Sequence, residues 1–311
     1  MNKTIELSVV CPVYEAMDTI DSLVLQLQNN LKEITSNFEI ILIDDGSKDG
    51  SWNKIIENIH KFKEVFGIKL SRNFGQQHAI QAGFDQSKGD YVLTLDCDLQ
   101  DPPEFIQKLF FKAKEGNHIV VAKKINRKDK FFQKLSSRLF NKIIKTLSDV
   151  KIEEATSNFA IYERKVIDAM NQFQDNIRYY PMLRKYVGFD ITYIEIEQAQ
   201  RHTGKSTYTF WKKFQLALTT ILNFSEKPLK LVIFLGVLFS SISIMTTLIL
   251  VIFYFFGNYV VKGWSSLALL ITFFSGIIII VLGMVGLYIG KIFETVKNRP
   301  TYIVQEKIEN E

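Results

Sequence analysis

The segment Phe38-Glu39-Ile40-Ile41-Leu42-Ile43-Asp44-Asp45-Gly46-Ser47 indicates the fold class of this chain. Its aliphatic residues 40–43 do not alternate with polar residues, which is typical of a strand in a parallel sheet covered on both faces. Two carboxylates follow this strand directly. Because ligands of doubly wound α/β proteins bind beyond the carboxyl ends of the strands, the segment predicts a binding site at Asp44 and Asp45.

Short strands and helices alternate on both sides of this segment. β-rich runs occupy residues 7–11, 68–71 and 91–96, and helical patterns occupy residues 19–34, 51–62 and 76–87. This alternation predicts right-handed βαβ units and a doubly wound, mostly parallel sheet. We expect residues 1–205 to form one α/β domain.

The composition excludes several classes of protein. With 47% hydrophobic residues, 25 Phe and 12 Tyr among 311 residues, the chain is too apolar to be disordered. Two cysteines, Cys11 and Cys97, are too few for a disulfide scaffold. The N terminus leads into the first predicted strand rather than into the apolar run of a secretory signal, so the domain is expected on the cytoplasmic side. No nucleic-acid partner is expected.

Two long apolar segments, 231–256 and 264–290, carry no charged residue. Each exceeds the roughly 20 residues that a membrane-spanning helix needs, so both are predicted transmembrane helices. Lysines and an arginine flank the pair outside the short link 257–263, which by the positive-inside rule predicts that both termini are cytoplasmic. Residues 206–230 are expected to form an amphipathic juxtamembrane helix, and residues 291–311 a cytoplasmic tail. A buried hairpin in a soluble protein is the alternative.

Basic residues dominate positions 123–145. Apolar residues recur there at four-residue spacing: Phe131, Leu135, Leu139, Ile143 and Leu147. The pattern predicts a basic amphipathic helix, either on a membrane surface or packed on the sheet with a solvated basic face. The apolar segments downstream favour the membrane surface. Lys123, Lys124 and Arg127 come just after a predicted strand end.

A second acidic strand end, Asp96-Cys97-Asp98-Leu99-Gln100, follows the fourth predicted strand. Carboxylates two residues apart can each place an oxygen on a hard divalent cation, which often takes one or two protein carboxylates plus substrate phosphates. A solvated turn is the alternative. The neighbouring acidic strand end at Asp44 and Asp45 favours the metal site.

Several motifs together resemble the family 2 glycosyltransferases with a GT-A fold. They are Cys11-Pro12-Val13-Tyr14, Ile43-Asp44-Asp45-Gly46-Ser47-Lys48-Asp49, Arg72-Asn73-Phe74-Gly75 and the run from Leu95 to Glu104. With Arg201-x-x-Gly204-x-Ser206-x-Tyr208 and the two apolar segments, residues 5–295 are similar to the polyprenyl-phosphate glycosyltransferases, the group of bactoprenol glucosyltransferase and dolichol-phosphate mannose synthase.

The resemblance implies an inverting, metal-dependent transfer of a hexosyl group from a nucleotide sugar to undecaprenyl phosphate or another polyprenyl phosphate. UDP-glucose is the expected donor and Mg²⁺ or Mn²⁺ the expected cofactor. The reaction would take place on the cytoplasmic face of the bacterial inner membrane, in cell-envelope glycan modification. A homo-oligomer and a flippase partner are also expected.

The resemblance implies the first three of the following roles, and the position of the basic residues after a predicted strand suggests the fourth. Donor binding is assigned to Pro12, Val13, Tyr14, Glu15, Asp44, Asp45, Arg72, Asp96 and Ser206. Metal binding is assigned to Asp98, Gln100 and Asp96. Catalytic roles are assigned to Asp96, Asp98, Asn158 and Arg201. The acceptor phosphate is assigned to Lys123, Lys124 and Arg127.

Three motifs depart from the family pattern, at four positions. Glu15 and Ala16 stand where the family usually has Asn and then Glu, and Thr207 where a Lys is common. Asn158 stands where many members have an Asp proposed as the base. An amide cannot act as a base, but a phosphate monoester with a second pKa of about 6 is already mostly dianionic at neutral pH. We hypothesise that Asn158 hydrogen-bonds the acceptor or the sugar.

Two alternatives remain. A processive polysaccharide synthase would have Trp after Gln198-x-x-Arg201, where this chain has His202, and more membrane spans. A degenerate, non-catalytic membrane scaffold of a glycan-assembly complex would not need the set of Asp96, Asp98 and Gln100.

Overall fold

The computed structural model describes residues 5–125, 158–173, 180–197, 263–297 and 299–309, together with isolated helical positions between 234 and 252. The chain divides into two compact units. One comprises Met1–Ser137, Ile152–Thr207 and Arg299–Glu311, and the other comprises Arg138–Lys151 and Tyr208–Asn298.

The first unit alternates strands and helices as the sequence predicts. In chain order its elements are β1 (Leu7–Val13), α1 (Met17–Ile34), β2 (Phe38–Asp44), α2 (Ser51–Lys61), β3 (Val65–Leu70), α3 (Gln76–Gln86), β4 (Tyr91–Thr94), a 3-10 turn (Pro103–Phe105), α4 (Ile106–Lys114), β5 (Ile119–Ile125), β6 (Ala160–Glu163), α5 (Arg164–Asn171), α6 (Tyr180–Tyr186), β7 (Ile191–Glu197) and β8 (Val304–Ile308). The predicted α/β class is confirmed, and element ends differ from the predicted ones by a few residues.

The strands form one sheet in the order β7-β5-β6-β4-β1-β2-β3-β8. The four central strands, β4, β1, β2 and β3, are parallel. β6 runs antiparallel to both β4 and β5, so β5 runs parallel to β4. The carboxyl ends of β1 to β5 therefore meet at one edge of the sheet, which we call the site edge.

Helices cover both faces of the sheet, as the unbroken apolar run of β2 predicts. Alternate residues of that strand point to opposite faces: Leu42 packs with α1 and α2, and Ile43 packs with α3. Gly83 lets α3 approach closely, because a Cβ there would lie 2.2 Å from Val10 Cγ1. This two-sided core holds the strand ends rigidly at the site edge.

The second unit contains α7 (Trp264–Val296), whose segment Phe273–Gly290 has a mean hydropathy of 2.3. By length and composition, it is the one helix in the described part of the chain that could cross a membrane. The helix continues beyond residue 290, where the predicted span ends. The other predicted span, 231–256, is described only at isolated helical positions, among them Phe239, whose ring lies 5.7 Å from that of Phe273. Residues 206–230 lie outside the described residues, as does most of the basic stretch 123–145.

The C-terminal segment contains a strand that the sequence pattern does not predict. β8 lies within the expected tail 291–311 and pairs antiparallel with β3 at the edge of the sheet. Most of its side chains are exposed. β8 is short and charged, so its sequence looks like that of an unstructured tail. It forms a strand because β3 offers an edge with which it can pair.

Candidate active site

Four loops meet at the site edge. They follow β1, β2, β3 and β4, and include the four motifs that the sequence analysis selects. Residue 158, just before β6, reaches the same edge because β6 runs antiparallel to β4. The sheet topology therefore brings most of the described candidate residues to one side of the domain.

Asp45, just after β2, fixes the loop that follows β3. Its carboxylate accepts hydrogen bonds from the backbone N–H groups of Phe74, 2.7 Å from Oδ1, and Gly75, 2.9 Å from Oδ2. Burial raises the pKa of this carboxyl, and the two N–H groups oppose that effect. Because both oxygens already accept hydrogen bonds, Asp45 positions the loop 71–75.

The same loop passes directly over Gly46. This glycine has a φ of +70°, and a Cβ here would lie 2.5 Å from the carbonyl carbon of Arg72 and 2.6 Å from the nitrogen of Asn73. The Arg72 guanidinium lies 4.2 Å from the centre of the Phe74 ring. The loops after β2 and β3 therefore present Arg72 at the site edge, and a side chain at position 46 would separate them.

Asp44, the last residue of β2, is fully buried. Its Oδ1 accepts a hydrogen bond of 3.0 Å from the Ser47 N–H, whereas Oδ2 has no hydrogen-bond partner in the described part of the chain. A buried acceptor without a donor is costly. A ligand or an ordered water could supply that donor.

Polar side chains that follow β2 fix the backbone that follows β1. Three backbone N–H groups donate to them: Glu15 to Ser47 Oγ (3.0 Å), Ala16 to Ser51 Oγ (3.0 Å) and Met17 to Asp49 Oδ2 (3.1 Å). Glu15 has a φ of 47°, in the left-handed region that asparagine tolerates better than most residues. The asparagine that the family usually has at this position suits this backbone.

Of the four donor-binding residues predicted after the start of the first motif, two have buried side chains and two have exposed ones. β1 continues beyond its predicted end at Cys11, so Pro12 and Val13 lie inside the strand and their side chains are buried. Tyr14 is 46% exposed, and Glu15 is also exposed. Of the four predicted residues, the side chains available to a ligand are therefore those of Tyr14 and Glu15.

The acidic segment after β4 has the chemistry of a divalent-cation site. Asp98 Oδ1 accepts a hydrogen bond of 3.1 Å from the Gln100 N–H, and Leu99 between them has a φ of 57°. Asp96 Oδ1 accepts a hydrogen bond of 2.8 Å from Gln76 Nε2. No group of three or more His, Cys, Asp or Glu side chains suited to a metal occurs among the described residues. The two carboxylates nevertheless fit a cation that takes its other ligands from substrate phosphates.

Asn158 lies beside Asp96. Its Nδ2 is 3.5 Å from Asp96 Oδ1, and the Thr94 hydroxyl donates a hydrogen bond to its backbone carbonyl. Thr94 pairs with Ala160, which in turn pairs with Val121 of β5. Continuing this register puts exposed Lys123 across from Asn158. A carboxylate, an amide and an ammonium group therefore occupy neighbouring positions along the site edge.

The two cysteines are free thiols at the Asp96 end of this row, Cys97 next to Asp96 in the chain and Cys11 on the adjacent strand β1. Burial, reinforced by Asp96, raises the pKa of Cys97 to about 12. Burial also raises the pKa of Cys11 well above its ordinary value. Both thiols are therefore protonated at neutral pH, and the thiolate is the form that binds metals.

Several predicted residues lie outside the described residues: Arg127, Arg201, Ser206 and the side chain of Lys124. Conversely, the structure adds Gln76, Ser47 and Gly46 to the site. In the sequence, Ser47 and Gly46 are indicated only by their place in the Asp-Asp-Gly-Ser motif. Gln76 has no such signal, because it begins α3, and only the packing of α3 on β1 and β2 brings it to Asp96.

The sequence model described as Glycosyl transferase family 2 matches residues 8–170 of this chain. This match includes all four motifs of the site edge. The chain belongs to glycosyltransferase family 2. The matching region of this glycosyltransferase ends within α5, so the apolar C-terminal segments lie beyond it.

Curated relatives match the glycosyltransferase along nearly its whole length. It is 36% identical to the uncharacterized glycosyltransferase YkcC of Bacillus subtilis over 313 aligned residues, covering 100% of this chain and 97% of the relative. It is 33% identical to the undecaprenyl-phosphate 4-deoxy-4-formamido-L-arabinose transferase of Proteus mirabilis, covering 97% of this chain and 94% of the relative.

Solved structures support the fold. Mannosyl-3-phosphoglycerate synthase from Rubrobacter xylanophilus aligns with a TM-score of 0.51 at 14% identity, covering 70% of this chain and 73% of that chain. Glucosyl-3-phosphoglycerate synthase from Mycobacterium tuberculosis aligns with a TM-score of 0.51 at 17% identity, covering 71% and 80%. These enzymes have the GT-A fold, so the predicted fold of the catalytic domain is confirmed.

Proposed function

We propose that this glycosyltransferase transfers a sugar from a nucleotide sugar to a polyprenyl phosphate, with undecaprenyl phosphate as the first acceptor to test. The observation that carries the proposal is the full-length similarity to an undecaprenyl-phosphate sugar transferase of Proteus mirabilis. That similarity extends beyond the catalytic domain into the apolar segments. A lipid-linked acceptor explains why a sugar-transferring domain and an apolar helix long enough to span a bilayer are joined in one chain.

The donor would bind along the site edge. Asp98, together with Asp96 and Gln100, would hold Mg²⁺ or Mn²⁺ at the donor diphosphate. When bound, the cation would neutralise the charge that develops on the leaving diphosphate. A mannosyltransferase from Pyrobaculum calidifontis with the same fold has been solved with GDP-Man and Mn²⁺, at a TM-score of 0.50 and 13% identity, which makes Mn²⁺ a reasonable ion to test beside Mg²⁺.

In the proposed reaction, an oxygen of the acceptor phosphate attacks the anomeric carbon of the sugar. The bond from that carbon to the diphosphate oxygen breaks, the electron pair leaves with the nucleoside diphosphate, and the configuration inverts. The row of Asp96, Asn158 and Lys123 supports this scheme. Lys123, with Lys124 and Arg127, would attract the acceptor phosphate, and Asn158 would orient the phosphate or the sugar by a hydrogen bond. A mostly dianionic phosphate needs no general base.

We place the site on the cytoplasmic face of the inner membrane because of the positive-inside pattern, and the chain's connectivity supports a hairpin that keeps both termini on one side. β7 precedes the apolar segments and β8 follows them, and both strands belong to one sheet. A chain that leaves this sheet and returns to it must cross a membrane an even number of times. This supports a hairpin of 231–256 and α7, with both termini in the cytoplasm. The homo-oligomer and the flippase partner remain predictions.

The decisive experiment is transfer from radiolabelled nucleotide sugars to undecaprenyl phosphate by the detergent-solubilised protein. UDP-glucose is the first donor to test, followed by UDP-N-acetylhexosamines, GDP-mannose and the UDP form of 4-deoxy-4-formamido-L-arabinose. We expect one donor to label the lipid fraction with Mg²⁺ or Mn²⁺, and EDTA to abolish the signal. Asp98→Asn should reduce turnover by at least about a hundredfold, since a charge-stabilising group at a transition state contributes about that much.

The matched control is Asp90→Asn, an exposed aspartate just before β4, at the opposite end of that strand from Asp98. It should retain the activity of the unchanged protein. A folded protein that binds nucleotide with metal but labels no lipid with any donor would contradict the proposal and favour the non-catalytic scaffold. Products with many sugars on one acceptor would instead favour the processive synthase.

A further inference from the structure

The C-terminal strand β8 contacts the loop that carries Arg72. Val304 of β8 pairs with Leu70, the last residue of β3. The pairing continues into the loop, where the Ser71 N–H donates a hydrogen bond of 2.9 Å to the Ile303 carbonyl. The first residue of the loop 71–75 is therefore bonded to a segment near the end of the chain.

Two side-chain hydrogen bonds, one from β8 and one from Tyr302 just before it, hold the C-terminal segment from both faces of the sheet. Trp52 Nε1 in α2 donates to Glu306 Oε2 at 3.1 Å, and the Tyr302 hydroxyl donates to Asp85 Oδ2 in α3 at 2.7 Å. Tyr302 also packs against the core beside α3, and Ile308 against the core beside α2. The strand is thus fixed to the two helices that precede and follow β3.

The loop 71–75 is consequently held at both ends. β8 bonds its first residue, and Asp45 accepts hydrogen bonds from the N–H groups of Phe74 and Gly75. Fixing the backbone of a free residue costs conformational entropy, so a loop that is ordered before binding spares the ligand that cost. Arg72 lies in the middle of this loop.

We propose that β8 is a positioning element for donor binding, which orders the loop 71–75 so that Arg72 meets the donor diphosphate. This inference rests on the proposed function, because it assumes that the site edge binds a nucleotide sugar. β8 itself touches no substrate. The affinity for the donor nucleotide therefore depends on residues close to the C terminus, far from the catalytic motifs in the sequence.

The test uses full-length protein in detergent with Tyr302→Phe and Glu306→Ala, alone and combined. Two controls are matched to these changes. Glu306→Gln keeps an oxygen that accepts from Trp52, and Lys307→Ala changes an exposed residue of the same strand that bonds to neither helix. Affinities for UDP and GDP are measured with Mn²⁺, and hydrogen exchange is followed in a peptide covering residues 71–75.

Loss of two hydrogen bonds should weaken binding of whichever nucleotide the unchanged protein binds by about tenfold in the combined variant. The KM for the donor should rise while the KM for the polyprenyl phosphate stays constant, and exchange at Phe74 and Gly75 should accelerate. Both controls should match the unchanged protein. In an Arg72→Ala background the combined change should cost no further affinity, whereas a general loss of structure would still reduce it.

Unchanged affinity and exchange in a combined variant, alongside weaker binding by Arg72→Ala, would overturn this inference and leave the proposed function intact. A protein that binds neither nucleotide would overturn the proposed function, and with it the donor role of β8; the exchange experiment would still show whether β8 orders the loop. If the combined variant does not fold, Tyr302→Phe alone decides, with an expected loss of about threefold.

Discussion

At the scale of single residues, polar side chains in the loop after β2 accept hydrogen bonds from the backbone that follows β1 and β3. Asp45 accepts hydrogen bonds from the loop after β3, and Ser47 and Asp49 accept from the loop after β1. The sequence places these residues just after a strand and therefore at the site edge. Their partners come from other loops, so only the folded structure shows that Asp45 positions Arg72.

Gly46 should be essential because the loop 71–75 passes over it. Gly46→Ala would combine the cost of a left-handed alanine, about 1–2 kcal/mol, with a Cβ placed 2.5 Å from Arg72. We expect a lower thermal midpoint and a loss of nucleotide affinity of at least about tenfold, because the displaced loop carries Arg72. Calorimetric unfolding and nucleotide titration measure the two effects.

Gly116→Ala is the control for Gly46→Ala. Gly116 has a φ of +97°, and no atom lies within 4 Å of its added Cβ. This variant should lose stability through backbone strain alone and keep the nucleotide affinity of the unchanged protein. Equal affinities in the two variants would contradict the importance of the close approach at Gly46.

At the scale of elements, packing between β strands and helices decides which candidate residues meet. Asn158 reaches Asp96 because β6 pairs antiparallel with β4, with Thr94 opposite Ala160. The sequence selects Asn158 through its family resemblance and gives no indication of its distance from Asp96. Strand register is a long-range property, since it depends on which residues of distant strands share a face of the sheet.

The contact between α3 and β1 can be tested at Gly83. Alanine is the better helix former by about 1 kcal/mol, but its Cβ would lie 2.2 Å from Val10 Cγ1. Overpacking a core typically costs about 1–3 kcal/mol, and contacts as short as this one belong to the upper end, so after the helix gain Gly83→Ala should lower the unfolding free energy by up to about 2 kcal/mol. Val10→Ala alone should also lower the unfolding free energy, because Val10 is fully buried. Since it removes the clashing methyl group, the double variant should lose less than the sum of the two single losses. Thermal unfolding of the unchanged protein, both single variants and the double variant measures this, and additive losses would contradict the proposed clash.

At the scale of the whole molecule, β7 and β8 bound the apolar part of the chain and share one sheet. The proposed two-span hairpin would place the short link 257–263 on the opposite side of the membrane from the C terminus. Asn258→Cys should therefore react with a membrane-impermeant maleimide on intact cells, and Asn310→Cys only after permeabilisation. Labelling of both positions, or of neither, on intact cells would contradict a two-span hairpin. The native thiols give little background, because Cys11 is fully buried and the pKa of Cys97 is raised to about 12.

The sequence by itself determines the α/β class, the acidic strand ends and the apolar C-terminal segments. These properties depend on local composition and periodicity, which neighbouring residues carry. The tertiary structure decides that Val13 belongs to the core, that Asp45 holds the loop of Arg72, that Asn158 lies beside Asp96 and that β8 closes the sheet next to β3. Each of these depends on contacts between segments far apart in the chain, whose energies come from packing and strand pairing that a local pattern does not encode.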